Sequence, residues 1–366
     1  MMLRHGFLLV MAGFLLTLPG LAQTRSNSVF TVSNVSVDST SQSAVQARDI
    51  ARADGERRAF RTLLERLTLK QDWSRLPKVT DADLVSLVQD FEVTSERSST
   101  VRYLATLTYR FRAEPVRRLL RDRGIAFAET QSKSLVVLPV LTAGNRAVLW
   151  DDPNPWRAAW VRQPLNEGLV PMQVPAGDLA AVQAIDTQQA LKGDKDAIAA
   201  VGRHYDNADV LVTQAAISGS GDQRMLQLTT VRYSAGFSDQ NWVSSVKSDP
   251  KESDDDLFAR AVAAVVADVS EAWKKATLQQ TGGEAATLTA VVPMTSLRDW
   301  VVVRDRLQNV PSVQRATLLA LSAEAARIEI HYVGDPQQLQ LVLSQRDLVL
   351  AQGDVDWTLS AKHAGQ

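Results

Sequence analysis

The residue types best able to do chemistry gather in one short stretch, Trp150-Asp151-Asp152-Pro153-Asn154-Pro155-Trp156, followed by Trp160. Two carboxylates beside tryptophan platforms are the parts of a sugar site, where one acid protonates the leaving oxygen and the other attacks or activates water. Tryptophans are also common anchors of binding hot spots. Trp150, Asp151, Asp152, Asn154, Trp156 and Trp160 are therefore the candidate binding residues. The same pattern has a plainer reading, and it is the one favoured. Adjacent aspartates on a loop usually point apart, and either can cap the turn before Pro153. Trp156 and Trp160, four apart on a helix, would pack on a sheet while Trp150 plugs its edge. No residue is nominated as catalytic.

Other chemistries find fewer parts. His5 falls in the leader, which leaves His204, His331 and His363, far apart and never at helical spacing, so no metal site is expected. No Gly-x-Ser-x-Gly elbow occurs. Ser244-Ser245-Val246-Lys247 matches Ser-x-x-Lys but falls in a predicted strand without companion motifs. Gly219-Ser220-Gly221 reads as a hairpin turn rather than a phosphate cradle, because no helix follows it. The acidic run Asp254-Asp255-Asp256 follows Ser253 and reads as helix capping. With no cysteine in the chain, thiol catalysis, iron–sulfur clusters and a lipid-bearing cysteine are excluded. No cofactor is expected.

Forty Lys+Arg stand against 41 Asp+Glu, with no basic block interleaved with aromatics, so a nucleic-acid partner is not expected. The arginines of the long Ala44–Leu67 pattern alternate with Asp49, Asp54, Glu56 and Glu65, as on a solvated helix face.

The N-terminus carries the most specific signal. Arg4 and His5 precede the apolar run Gly6–Leu16, then Pro19-Gly20 and the small-residue site ending at Ala22. That order fits a secretory signal peptide cleaved after Ala22, and the run is short of the ~20 residues a membrane span needs. No later run approaches spanning length, so the expected product is periplasmic, with neither an integral membrane segment nor a lipid anchor.

The positioning elements follow from periodicity. A small α+β domain is expected over 26–128: a first strand near Val29–Val37, the long Ala/Arg helix, a helix over Asp81–Phe91, and a half-buried strand Val101–Phe111 whose apolar residues alternate. A central α/β domain over 134–279 opens with the uncharged run Leu135–Leu141. Strands are expected there at Leu169–Val174 and Asp209–Ile217 and helices at 155–165, 178–185 and 194–205, then an antiparallel extension and a capped helix after Ser253. Beyond a Gln279-Gln280-Thr281-Gly282-Gly283 linker, 285–361 has the β-α-β-β-α-β order of a ferredoxin-like unit. The fold class is thus a multidomain chain of α/β and α+β units, the central one three-layered.

Several of these strings together resemble one bacterial family. They are Leu63-Leu64-Glu65-Arg66-Leu67-Thr68, the core Leu138-Pro139-Val140 with Leu149-Trp150, Asn154-Pro155-Trp156, Trp160, Gly168-Leu169-Val170-Pro171 and Gly177-Asp178-Leu179, and Gly334-Asp335 with Leu339. The family is that known as domain of unknown function number 2066, and the resemblance spans nearly the whole mature chain. It implies a place in the Gram-negative envelope and no activity. The central domain is similar in element order to the amino-terminal domain of the TolB translocation protein and to curli-assembly-type envelope domains. The expectation is a non-catalytic interaction or assembly module with envelope proteins as partners. The alternative is an envelope hydrolase or carbohydrate-binding protein that uses the Trp150–Trp160 segment.

Export gives the first prediction. Mass spectrometry of protein from a Gram-negative host should find a mature chain beginning at Gln23, and an intact N-terminus in the cytosolic fraction would refute it.

Overall fold

A computed structural model describes residues 29–206, 208–234, 238–279, 285–353 and 356–362. The expected leader over 1–22 and residues 280–283 of the expected linker lie outside the described residues, while Gln279 at its start bridges to Phe127.

The N-terminal unit is built from β1 (Thr31–Thr40), α1 (Ala44–Leu67), α2 (Asp81–Leu87), β2 (Val88–Ser98), β3 (Arg102–Phe111) and α3 (Ala113–Asp122). Its sheet has the order β1-β3-β2, antiparallel throughout. Ser43 caps α1, and Ala47, Ala51, Gly55 and Ala59 form a small-residue stripe against the sheet. Gly55 has a specific reason to be there. A Cβ at that position would lie 2.7 Å from Val37 Cγ1 and 2.8 Å from Tyr109 Oη, so only glycine lets the helix approach this closely. The approach brings the Tyr109 hydroxyl within 2.8 Å of the Arg52 carbonyl, to which it donates. The expected helix over 81–91 ends at Leu87 instead. Val88–Ser98 pairs with β3 along its length, and that ladder outweighs the weak helical pattern of the segment.

The central unit contains β4 (Leu135–Ala143), β5 (Arg146–Val148), α4 (Pro155–Val161), β6 (Met172–Gln173), α5 (Leu179–Ala184), α6 (Thr187–Lys192) and α7 (Lys195–His204). It continues through β7 (Asp209–Ser218), β8 (Met225–Tyr233), β9 (Gln240–Lys247) and α8 (Asp254–Ala276). The sheet order is β5-β4-β7-β8-β9, with β6 beside β4. β4 runs parallel to β7 and β6, and the remaining pairs are antiparallel. Alternation along β4 shows the three layers. Leu135, Val137 and Leu141 share a core with α4 and α8, whereas Val136, Leu138 and Val140 share another with α6 and α7. A strand buried on both faces carries no polar side, which is why its sequence is an uncharged run. The strand expected at 169–174 shrinks to the two residues of β6.

The C-terminal unit consists of β10 (Ala285–Pro293), α9 (Leu297–Leu307), β11 (Val313–Leu321), β12 (Ala325–Val333), α10 (Pro336–Ser344), β13 (Leu348–Gln352) and β14 (Trp357–Ala361). Its order β11-β12-β10-β14-β13 contains the expected β-α-β-β-α-β path with one addition. β14 folds back from β13 and inserts between it and β10, parallel to β10.

The units meet at the end of α8. The Trp273 indole donates to the Thr130 carbonyl at 2.7 Å, and the buried Lys274 ammonium donates to Glu65 O and Thr68 O at the end of α1 and pairs with Glu271 at 2.9 Å. Gln338 at the start of α10 donates to the carbonyls of Ala276 and Leu278. The C-terminal core nevertheless draws all its buried residues from 288–359. A fragment of residues 281–366 should therefore melt cooperatively by circular dichroism, since a unit of that size buries a core of its own. Failure to fold without α8 would show that α8 belongs to it.

Candidate functional site

The Trp150–Trp160 segment is positioned by an irregularity in β4. Pro139 lies in the stretch of that strand between its two short partners, β6 at Leu135–Val136 and β5 at Leu141–Ala143. A proline offers the ladder no donor there. Its register partner in β7 is Thr213, whose carbonyl accepts from the Trp156 indole at 3.1 Å. Asn154 completes the arrangement. Its Oδ1 caps α4 through the Arg157 amide at 3.0 Å, and its Nδ2 lies 3.2–3.4 Å from the carbonyls of Leu149, Val148 and Pro139.

Trp156 and Trp160 are wholly buried, 5.6 Å apart and edge to face, with Phe258 of α8 6.0 Å from Trp156. They present no surface to a ligand. Trp150 is half-buried, its indole donating to Ile185 O at 2.8 Å and its ring lying against Gly177, where a Cβ would come within 3.4 Å of it. Asp151 and Asp152 lie exposed on the bend before a cis Asp152–Pro153 bond. The segment thus divides into four residues engaged in packing or hydrogen bonding and two carboxylates in water.

A concave site occurs elsewhere. A cleft of about 650 Å³ opens between the central and C-terminal units. On its central side, Arg232 is 4% exposed and donates through Nε and Nη2 to Asp209 Oδ2 at 3.1 and 2.6 Å, and its guanidinium lies 5.2 Å from the Trp273 ring centroid. Ser234 Oγ donates to the same carboxylate oxygen at 2.8 Å. On the other side stand α10 and the edge strand β13, and Lys133 pairs with Asp347 across the junction. Fixed charge pairs and apolar wall are mixed within one cleft, which suits an amphipathic ligand.

These residues come from five separated segments, so no local motif marks them. One signal was present. β8 buries Leu226, Leu228 and Thr230 on its inward row, and Arg232 is the next residue of that row. An arginine in the apolar register of a strand needs a buried partner and is worth noting from sequence alone.

Among the described residues no three His, Asp or Glu side chains come together as a metal site, and no helix is long and apolar enough to cross a membrane. Two carboxylates are held far below their usual range, to about 2. Glu252 is lowered by its hydrogen bonds from Arg260, and Asp299 by those from Thr295 and Ser296. Both are ion-pair or capping groups. Burial raises Glu56 on α1, partly offset by Arg52 beside it.

Residues 30–129 match a family described as Domain of unknown function (DUF8605). This corrects the resemblance to domain of unknown function number 2066, which is a different family. The strings that suggested it are short apolar strand and helix starts, of a kind that buried α/β cores share. No curated protein matches the chain. Among solved structures, the crystal structure of lipoprotein GNA1162 from Neisseria meningitidis is 16% identical over 37% of this chain and 97% of that one, with a TM-score of 0.25. A second, titled only as an uncharacterized protein, is 11% identical over 39% and 91%, with a TM-score of 0.16. Likenesses this low carry no argument about fold or activity.

The packing geometry gives a prediction. Trp156→Ala should lower stability by about 3–5 kcal/mol, as a large core cavity does, while Asp152→Asn leaves the melt unchanged. Denaturant melts of the two variants decide it, and a Trp156→Ala protein as stable as wild type would contradict this account.

Proposed function

We infer that this chain is an exported, non-catalytic interaction module of the bacterial envelope that holds a segment of a partner polypeptide in the cleft beside Arg232. The observation that carries the reading is the cleft's construction. Four of its charges are tied into ion pairs, Arg232 with Asp209 and Lys133 with Asp347, and these shape and orient a ligand, while Asp239 and Lys362 line the same cleft outside those pairs. Its far wall is the edge strand β13, and an extended chain is the ligand that an open strand edge accepts through main-chain hydrogen bonds. The leader-like order from Arg4 to Ala22 supports an exported setting.

Site-specific photocrosslinking in intact envelopes tests this. A crosslinker at Gln240 or Val349, both on the cleft, should yield one discrete polypeptide adduct that a crosslinker at the exposed Leu297 of α9 does not. Equal adducts at all three positions, or none at the cleft, would remove the reading.

A further inference from the structure

The opposite edge of the C-terminal sheet is β11, which has two register shifts, between Val313 and Arg315 and between Leu318 and Ala320, but little of the charge that edge strands ordinarily carry. Such strands are blunted by charges, proline or bulges, because a bare row of amides and carbonyls recruits another strand. The edge strand β2 has Asp90, Glu92, Glu96 and Arg97 along its length. β11 has one charge, Arg315, and then six uncharged residues, Ala316-Thr317-Leu318-Leu319-Ala320-Leu321. Leu318, Leu319 and Leu321 are 42%, 51% and 50% exposed. Three leucines half in water on a free edge form an apolar surface that lacks only a covering strand.

The charges at the two ends suggest what covers it. Arg315 opens the uncharged stretch and Glu324 follows it in the turn to β12, and neither joins an ion pair among the described residues. A strand with a free cation at one end and a free anion at the other is complementary to itself when reversed. We propose that two copies of this chain associate through β11, antiparallel about a two-fold axis at Leu318–Leu319, joining two five-stranded sheets into one of ten strands. In that register Leu318 of one copy faces Leu319 of the second, Thr317 faces Ala320, and Arg315 comes beside the Ser322–Glu324 turn. No like charges meet, and by symmetry each contact occurs twice. The bulge between Leu318 and Ala320 falls on the axis, and the second register shift, between Val313 and Arg315, lies at the end of the paired stretch, which leaves the residues between them free to pair. β13, at the far edge, is left open, so this dimer neither requires nor blocks the cleft.

Sedimentation velocity of the purified full chain over a concentration series is the test. Wild type should show a monomer–dimer equilibrium. Leu318→Lys, or Leu319→Lys should the first fold poorly, should return it to monomer while keeping the wild-type melt. Arg315→Glu and Glu324→Arg should each weaken the dimer about tenfold or more, since two cross-strand pairs turn from attraction to repulsion. The double variant should recover the wild-type dissociation constant. A chain that stays monomeric at all concentrations, a dimer indifferent to both lysine variants, or a double variant no better than the single ones overturns the proposal.

Discussion

The chain's architecture depends on the last turn of α8. There Trp273 and Lys274, adjacent in sequence, point in different directions and engage different neighbours. The Trp273 indole holds the Thr130 carbonyl and its face receives the Arg232 guanidinium. Lys274 is buried beside Trp73, its ammonium 5.7 Å from that ring. A buried ammonium is tolerated only when paired and hydrogen-bonded. Lys274 meets that condition with two carbonyls near the end of α1 and the Glu271 carboxylate, so its solvation requirement fixes how the first unit sits on the second. The carbonyls of Ala276, the last residue of α8, and of Leu278 just beyond it hold Gln338 of the third unit. One helix end thus sets two junctions, and the cleft beside Arg232 lies at the second of them, between the central and C-terminal units.

A second constraint lies inside the central sheet. Proline in a buried strand offers no donor, and here the Asn154-Pro155-Trp156 string places side-chain donors on the Pro139 carbonyl and on that of its register partner Thr213. This accounts for a tryptophan and an asparagine that looked like ligand-binding residues. Indole N–H and carboxamide are polar groups used to satisfy backbone, and the ring surface is used to fill the core. Trp160 carries the cost, since its Nε1 has no partner among the described residues.

How much of this was readable depends on whether a signal is local. The alternation of β3 and β12, the Ser253 cap of α8 and the uncharged run of β4 each sit within a dozen residues and each produced the element expected. The hairpin of β4 and β5 was missed, although Gly144-Asn145 is a two-residue turn pair and Gly144 takes φ +58°. β14 was not readable. Five residues with Trp357 and Leu359 as the apolar members do not establish a period, and the strand is specified by its place between β10 and β13. The cleft was hidden for the same reason, since Lys133, Asp209, Arg232, Trp273 and Asp347 are brought together by tertiary packing alone.

The placement of β14 also bears on the order in which the protein folds. β10 reaches its parallel neighbour only after some seventy residues of intervening chain, pairing Ala290 with Trp357. Contacts of such long sequence separation must meet their loop-closure entropy before they contribute, and strand pairings of this kind form late. The hairpin of β11 and β12 and the hairpin of β13 and β14 are each local and can form early. Joining them across the β10–β14 seam is then the slow event of the C-terminal unit. Until it closes, the inner edges of both halves are unpaired, and a chain held at that stage is the species most exposed to wrong partners.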